Sequence, residues 1–317
     1  MNILEECSGA KRIGISGHVR PDGDAVGACL SLYLYLKKCL PGDPYIGVYL
    51  EEPAPQFNAI KGFDRIITDF PEEDPFDVYI VVDCSKDRTG DAEKYFDKAK
   101  KTINIDHHIT NTGSAMINVM EPQSGSVCEV IYDLFDKDKI DADIAKALYI
   151  GIIHDTGVFQ YSNTRPSTLT KAAHLISYGF DFPKIIEETF YQKTYVQSQI
   201  TGRALVESIR FMNGKCAVSV IDRKTMDFYD ADNKDLEGII NHLRRIKGVE
   251  CAIFMYETGP LEYKVSLRTT EKVDATKVVT NFGGGGHARA AGCTMHGTFH
   301  DNVNNLSKYI AAQLGEE

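Results

Sequence analysis

The chain has 317 residues, 43% hydrophobic and 25% charged, an ordinary globular composition with material for about two domains. Its formal net charge of -10 repels nucleic acid at long range, which argues against a coat for long strands but not against a binder of short phosphorylated ligands. The eight cysteines form no CxxC pair, the polar start MNILEECSGAKR lacks a signal core, and no run approaches the ~20 apolar residues of a membrane span, so a reduced, cytoplasmic protein without membrane contact is expected.

Short apolar runs alternate with amphipathic stretches through the first half. RIGISGH (12–18) reads as a buried strand, and Val26, Cys29, Leu30, Tyr33 and Leu34 then share one helical face. YIGVYL (45–50), FDVYIVVD (76–83) and KTINID (101–106) read as further strands, with helical patterns at 53–61, 91–100, 126–137 and 143–154. Such alternation predicts an α/β domain built on a parallel sheet, at 1–188. The pattern turns helical at 167–206, and residues 189–202 are read as a helical connector. Beyond it, SIRFMNGKCAVSVID carries Asn213-Gly214 between two strand-like runs, a hairpin signal. DLEGIINHLRRIKG reads as a helix, and VECAIFMYETGPLEYKVSLRT as a second hairpin turning at Gly259-Pro260. A smaller α+β domain at 203–317 is therefore expected.

The charged residues fall unevenly on this map. His18 ends the first strand, with Asp22 and Asp24 in the following loop; Asp83 ends the third; Asp106, His107 and His108 end the fourth. The carboxyl edge of an open α/β sheet is where ligands bind. Asp155 ends an apolar helix that Gly157 stops. Singly, Asp24 reads as a helix cap, Asp83 as a turn former and His18 as a hydrogen-bonded loop residue. Together, one metal site accounts for all of them. Two histidines and four carboxylates with no thiolate suit manganese, with magnesium the alternative, better than structural zinc. Four aspartates carry the charge of two divalent ions. Alternation along the strand turns Cys84 away from that edge.

Taken together, HVRPDGDAVGA, VVDCS, DHH and GIIHDTGVFQY resemble the four motifs of the DHH-family phosphoesterases. SLRTTEKVDATKVVTNFGGGGHARAAG (266–292) resembles the signature of the DHH-associated C-terminal domain, and the combination is similar to the nanoRNase and pAp-phosphatase subgroup. The resemblance implies that His18 and Asp22 bind one metal, that Asp24, His107 and Asp155 bind the other, and that Asp83 bridges both. It also implies that Asp106 orients a histidine, that His108 faces the substrate phosphate, that Arg88 lies near the substrate, and that the active site occupies an interdomain cleft. Ala28 stands where the first motif more often has Ser, and Arg20 and Arg289 occupy variable positions.

Four consecutive glycines are by composition a linker. Here a helical stretch precedes them and small residues follow, so Gly284, Gly285 and Gly286 read as an anion-binding loop. His287 adds a donor, Arg268 a second phosphate anchor, and Arg289 either a phosphate contact or an exposed side chain. The expected chemistry is metal-assisted attack of water on phosphorus, with Asp83, Asp106 and His108 at its centre. The expected substrates are short 5′-phosphorylated oligonucleotides or 3′-phosphoadenosine 5′-phosphate, not long nucleic acid. Cyclic or linear dinucleotides are the rival substrates, and a non-catalytic nucleotide-binding module the rival class. A homodimer is left open.

Overall fold

Val, Ile and Tyr dominate the short runs that form the first sheet, since branched and aromatic side chains fit a pleated, buried surface. The computed structural model describes residues 1–315 and divides by packing into two units, Met1–Gln192 and Lys193 onward.

The first unit runs α1 (Ile3–Glu6), β1 (Arg12–Ser16), α2 (Gly23–Cys39), β2 (Tyr45–Tyr49), β3 (Ile66–Ile67), β4 (Val78–Val82) and α3 (Glu93–Lys98). It continues through β5 (Thr102–Asp106), β6 (Ile117–Met120), α4 (Val127–Leu134), α5 (Ala142–Asp155), α6 (Pro166–Ile176) and α7 (Phe182–Ile186) to a π turn at Glu187–Tyr191. The six strands lie in the order β3-β2-β1-β4-β5-β6, every pair parallel. Strand order therefore reverses between β1 and β4, the point in an open α/β sheet at whose carboxyl edge ligands bind. Ile13, Ile15, Val48, Ile80, Val82, Ile103 and Ile105 meet the helices on one face. On the other, Tyr49, Phe76, Tyr79, Tyr95 and Phe96 form an aromatic layer that includes Cys84.

The helix expected at 53–61 is only one tight turn, Pro55–Phe57. Pro53 and Pro55 each push the preceding residue toward extended backbone, and Ala54 is extended (φ -61°, ψ 135°). The short edge strands β3 and β6 have no counterpart in the sequence reading.

The second unit begins with α8 (Tyr195–Val206), whose Ile200 and Ala204 are buried in its core. It continues through β7 (Ile209–Phe211), β8 (Cys216–Ile221), α9 (Arg223–Tyr229), α10 (Ile239–Arg244), β9 (Cys251–Gly259) and β10 (Glu262–Thr269). It ends with α11 (Ala275–Val279), β11 (Gly285–His287), β12 (Ala290–His296) and α12 (Phe299–Leu314). Both expected hairpins form, β7–β8 and β9–β10. The sheet order is β11-β12-β10-β9-β8-β7, with β8–β9 its one parallel pair. Among the described residues no helix is long and apolar enough to cross a membrane.

Candidate metal centre

The reversal of strand order places the ends of β1 and β4 side by side, so His18 and Asp83 meet there. His18 Nε2 stands 3.4 Å from Asp83 Oδ2 and 3.7 Å from Asp22 Oδ1. The other Asp83 oxygen, Oδ1, lies 3.5 Å from His107 Nε2, which is 3.2 Å from Asp155 Oδ2 and 3.9 Å from Asp24 Oδ2. One carboxylate thus faces two separate groups of donors, one with each oxygen. Asp83 adopts a left-handed backbone (φ 62°), a costly conformation for a residue with a side chain and one that clusters at functional sites.

Both histidines are aimed by their far nitrogen. His18 Nδ1 donates to the Val19 carbonyl at 2.9 Å, and His107 Nδ1 to the Ser124 carbonyl at 3.2 Å. Each Nε2 is thereby turned toward the acids, where it can offer a lone pair once a cation replaces its proton, the arrangement that metal-ligating imidazoles use. Asp83 Oδ1 and His107 Nε2 are buried without a hydrogen-bond partner. Such orphaned atoms are costly unless something charged completes them.

Asp24 is not in a loop, as the sequence reading placed it, but in the first turn of α2; Asp22 is the residue that caps this helix, accepting from the amides of Asp24 and Ala25. Asp24 is fully buried and also receives the first amides of α4, Val127 N at 2.6 Å and Cys128 N at 3.1 Å. It therefore ties two helix starts together while turning toward His107. Packing also fixes the residue between Asp22 and Asp24, Gly23. A Cβ there would lie 2.3 Å from His154 Cγ, so glycine is needed because the His154 ring packs on the turn between Asp22 and Asp24.

Asp106 plays a different part. Its Oδ1 accepts from the amides of His107 and His108 and from His108 Nδ1 at 2.8 Å, and its Oδ2 from Asn111 at 2.6 Å. With its lone pairs so occupied, it orients His108, whose side chain is 41% exposed. A cavity of about 30 Å³ beside this pair is lined by Arg88, Asp106, His108 and Asn111.

The electrostatics ask for positive charge. Burial pulls the His18 imidazolium down, but Asp22 and Asp83 outweigh it and lift it to about 10. His107 rises to about 10 against the same burial, through Asp83, Asp24 and Asp155. Burial lifts Asp155 to about 7, with Asp83 and Asp22 adding to it against the pull of His107. Burial likewise raises Asp24 far above the usual carboxylate range, helped by Asp83 and Asp155. Protons thus do what cations would do better. Among the described residues, three sets of donor atoms each lie within 4.8 Å: His18, Asp22 and Asp83; Asp24, His107 and Asp155; and Asp83, Asp106, His107 and His108. Imidazole and carboxylate donors with no thiolate fit hard divalent cations.

Three asparagines escaped the sequence reading. Asn104 and Asn111 adjoin Asp83 and Asp106, and Asn163 donates to the carbonyls of Gly125 and Asp155, linking the start of α4 to the end of α5. Asn104 alone left a signal, as a polar residue inside a strand.

In the second unit the glycines prove unequal. Gly284 and Gly286 are bound by packing: a Cβ would sit 2.4 Å from the Gly292 carbonyl and 2.5 Å from the Ala290 carbonyl, and Gly286 has φ 144°. Gly285 is exposed, and a Cβ there would meet nothing within 4 Å. Rather than a free loop, Gly285–His287 form an edge strand, in which His287 pairs with Ala290 and Ala290 with Arg268. Cross-strand pairing puts His287 and Arg268 on one face. Arg289 is exposed, the second of the two sequence alternatives, and its Nη1 also donates to the carbonyls of Thr270 at 2.6 Å and Val273 at 3.1 Å.

Residues 12–152 match the N-terminal domain of the DHH family and 213–316 the DHHA1 domain. The chain is 30% identical to the bifunctional oligoribonuclease and PAP phosphatase NrnA of Thermus thermophilus, over 90% of this chain and 84% of that one. It is 25% identical to the protein of the same description from Bacillus subtilis, over 88% of each. An exopolyphosphatase-related protein from Bacteroides fragilis shares its fold at TM-score 0.85 and 24% identity, over 96% of this chain and 94% of that. RecJ of Thermus thermophilus, solved in complex with Mn2+, shares the fold at TM-score 0.55 and 13% identity, over 98% of this chain and 54% of that.

Proposed function

We propose, from the premise that this chain belongs to the DHH family and carries a DHHA1 domain, that it hydrolyses short 5′-phosphorylated oligonucleotides and 3′-phosphoadenosine 5′-phosphate with two manganese ions. The observation that carries the reading is the bifacial Asp83, one oxygen toward His18 and the other toward His107. His18 and Asp22 would hold one ion, Asp24, His107 and Asp155 the other, with Asp83 shared. Such ions, when bound, lower the pKa of water and set positive charge against phosphoryl oxygens. The remaining work belongs to the chain.

Asp106 fixes Nδ1 of His108 and leaves Nε2 to donate to a phosphoryl oxygen. The hydrogen bond to Asp106 raises His108 above the ordinary imidazole range, so it carries its proton closer to neutral pH. Arg88, beside His108 in the small cavity, adds a second cation. In the second unit Arg268 and His287 anchor the 5′-phosphate, and Gly285 leaves room for it to approach the backbone of 284–286. Both activities break the same bond, O3′–P, next to a nucleoside that bears a 5′-phosphate. A net charge of -10 supplies no extended basic groove for a long strand.

The test is a manganese-supplemented assay on pApA, pAp, 5-mer and 24-mer RNA and cyclic di-AMP, with Asp83→Ala as the blank. Release from pApA and pAp well ahead of the 24-mer, abolished in the blank, is expected. Preference for the 24-mer, or product release that survives chelation, would overturn the reading.

A further inference from the structure

β5 reads Thr-Ile-Asn-Ile-Asp, and Ile103 and Ile105 pack into the main core of the first unit. On the opposite face of this fully buried strand stands Asn104, with no exposure at all. The parallel ladders on both sides already satisfy the backbone there, so an apolar side chain would serve the sheet equally well. A buried amide is tolerated only where its hydrogen bonds are made.

Those bonds lead to two parts of the site. Asn104 Nδ2 donates to the Val81 carbonyl at 3.1 Å and the Cys84 carbonyl at 2.8 Å, the two carbonyls that bracket Asp83. This is the turn held in the left-handed conformation. Asn104 Oδ1 accepts from Asn111 Nδ2 at 3.0 Å, and the same Nδ2 reaches Asp106 Oδ2 at 2.6 Å. Asn111 Oδ1 in turn accepts from the Gly113 amide at 2.9 Å, so both donors and the acceptor of each amide are engaged. The chain of contacts runs from the Asp83 turn through Asn104 and Asn111 to Asp106, and on to His108.

We infer that Asn104 and Asn111 are positioning residues, forming a side-chain relay that locks the Asp83 turn and the Asp106–His108 pair into one register. The inference rests on the roles proposed above for Asp83 and His108. Asn104 holds the backbone turn that carries the carboxylate facing both donor groups. Asn111 holds the carboxylate that aims the phosphate-facing imidazole. Through the Asn104–Asn111 bond, displacement of one half is felt by the other. Neither asparagine belongs to the donor groups of the metal centre.

A double-mutant cycle separates this from simple stabilisation. kcat and KM on a 5′-phosphorylated dinucleotide are measured for the intact protein, Asn111→Ala, His108→Ala and the double variant, with melting temperatures alongside. Asn111→Ala is expected to lower kcat by ~10–100-fold at little change in KM, the usual loss when an outer partner is removed. In the His108→Ala background the same change should cost less than ~3-fold, because its target is already gone. An equal loss in both backgrounds, or a fall in melting temperature with kcat intact, would overturn the His108 arm. For the Asp83 arm, Asn104→Ser is titrated with Mn2+ by calorimetry without substrate. Affinity should fall by ~10-fold or more, and unchanged affinity would overturn it. If the intact protein cleaves no dinucleotide yet Asn104→Ser still loses Mn2+, the assigned substrate fails while the Asp83 arm stands.

Discussion

Gly23→Ala sets helix propensity against packing. Alanine is the better helix former by about 1 kcal/mol, so on an exposed helix the change would stabilise. Here the new Cβ would sit 2.3 Å from His154 Cγ and 2.7 Å from its Cβ and Cδ2. The ring cannot easily retreat: Phe57 and Phe190 meet it edge-on at 5.0 and 5.4 Å, and its Nε2 lies 3.2 Å from Thr189 Oγ1. Overpacking of this kind costs about 1–3 kcal/mol, so packing wins. At about 2–4 °C per kcal/mol for a unit of this size, melting should fall by several degrees. The strain falls on the turn between Asp22 and Asp24, so Mn2+ affinity should drop by ~10–100-fold. Thermal denaturation with and without Mn2+, and calorimetric titration, measure both quantities. Gly23→Ala/His154→Ala removes the clash and should recover most of the affinity. A Gly23→Ala protein that melts at or above the parent temperature and binds Mn2+ normally would refute the reasoning.

Asp24→Ala should destabilise even the chelated protein by about 1–3 kcal/mol, since it strips the buried amides of Val127 and Cys128 of their acceptor; denaturant midpoints without metal check this, and no change would mean that Asp24 serves the ions alone. The chelated protein should lose stability as pH rises. Asp155, raised to about 7, contributes a loss from about pH 4 to 7, because the folded state holds the proton that the unfolded chain releases. His18 and His107, raised to about 10, contribute stability present below their ordinary value and lost toward pH 10. Saturating Mn2+ should flatten this slope, and a chelated protein whose melting temperature climbs between pH 5 and 9 would contradict the assigned charges. In the second unit Gly285→Ala should melt like the parent yet raise KM for dinucleotides, whereas Gly286→Ala should lower the melting temperature outright; equal melting losses would remove the distinction between them.

What was legible in the sequence was whatever local periodicity and chain punctuation control. The strands ending at His18, Asp83 and Asp106 could be read because apolar runs stop abruptly at charged residues, and the sheet edge then brings those residues together. The edge strands β3 and β6, two and four residues long, fall below the length at which period-two alternation is detectable. Taken singly, Asp24 reads as a cap, and beside its place in the donor set it does receive helix amides. They belong to α4, more than a hundred positions away, a tertiary pairing that no local pattern encodes. The demand for glycine at position 23 leaves no local trace either, because the ring that requires it, His154, is equally remote in sequence. The asparagine relay was hidden for the same reason, since Asn104 reaches back 20 residues to Cys84. The glycine run misled in a different way. Its composition suggests a uniform loop, but the close approach of the Gly292 and Ala290 carbonyls makes Gly284 and Gly286 structural and leaves Gly285 without a packing reason.

The central claim is that Asp83 joins two divalent ions, and electron paramagnetic resonance of the Mn2+-loaded protein tests it most directly. Two ions per chain with an exchange-coupled spectrum, reverting to isolated Mn2+ in Asp83→Asn, is the predicted result. One uncoupled ion per chain, or coupling that survives Asp83→Asn, would contradict it.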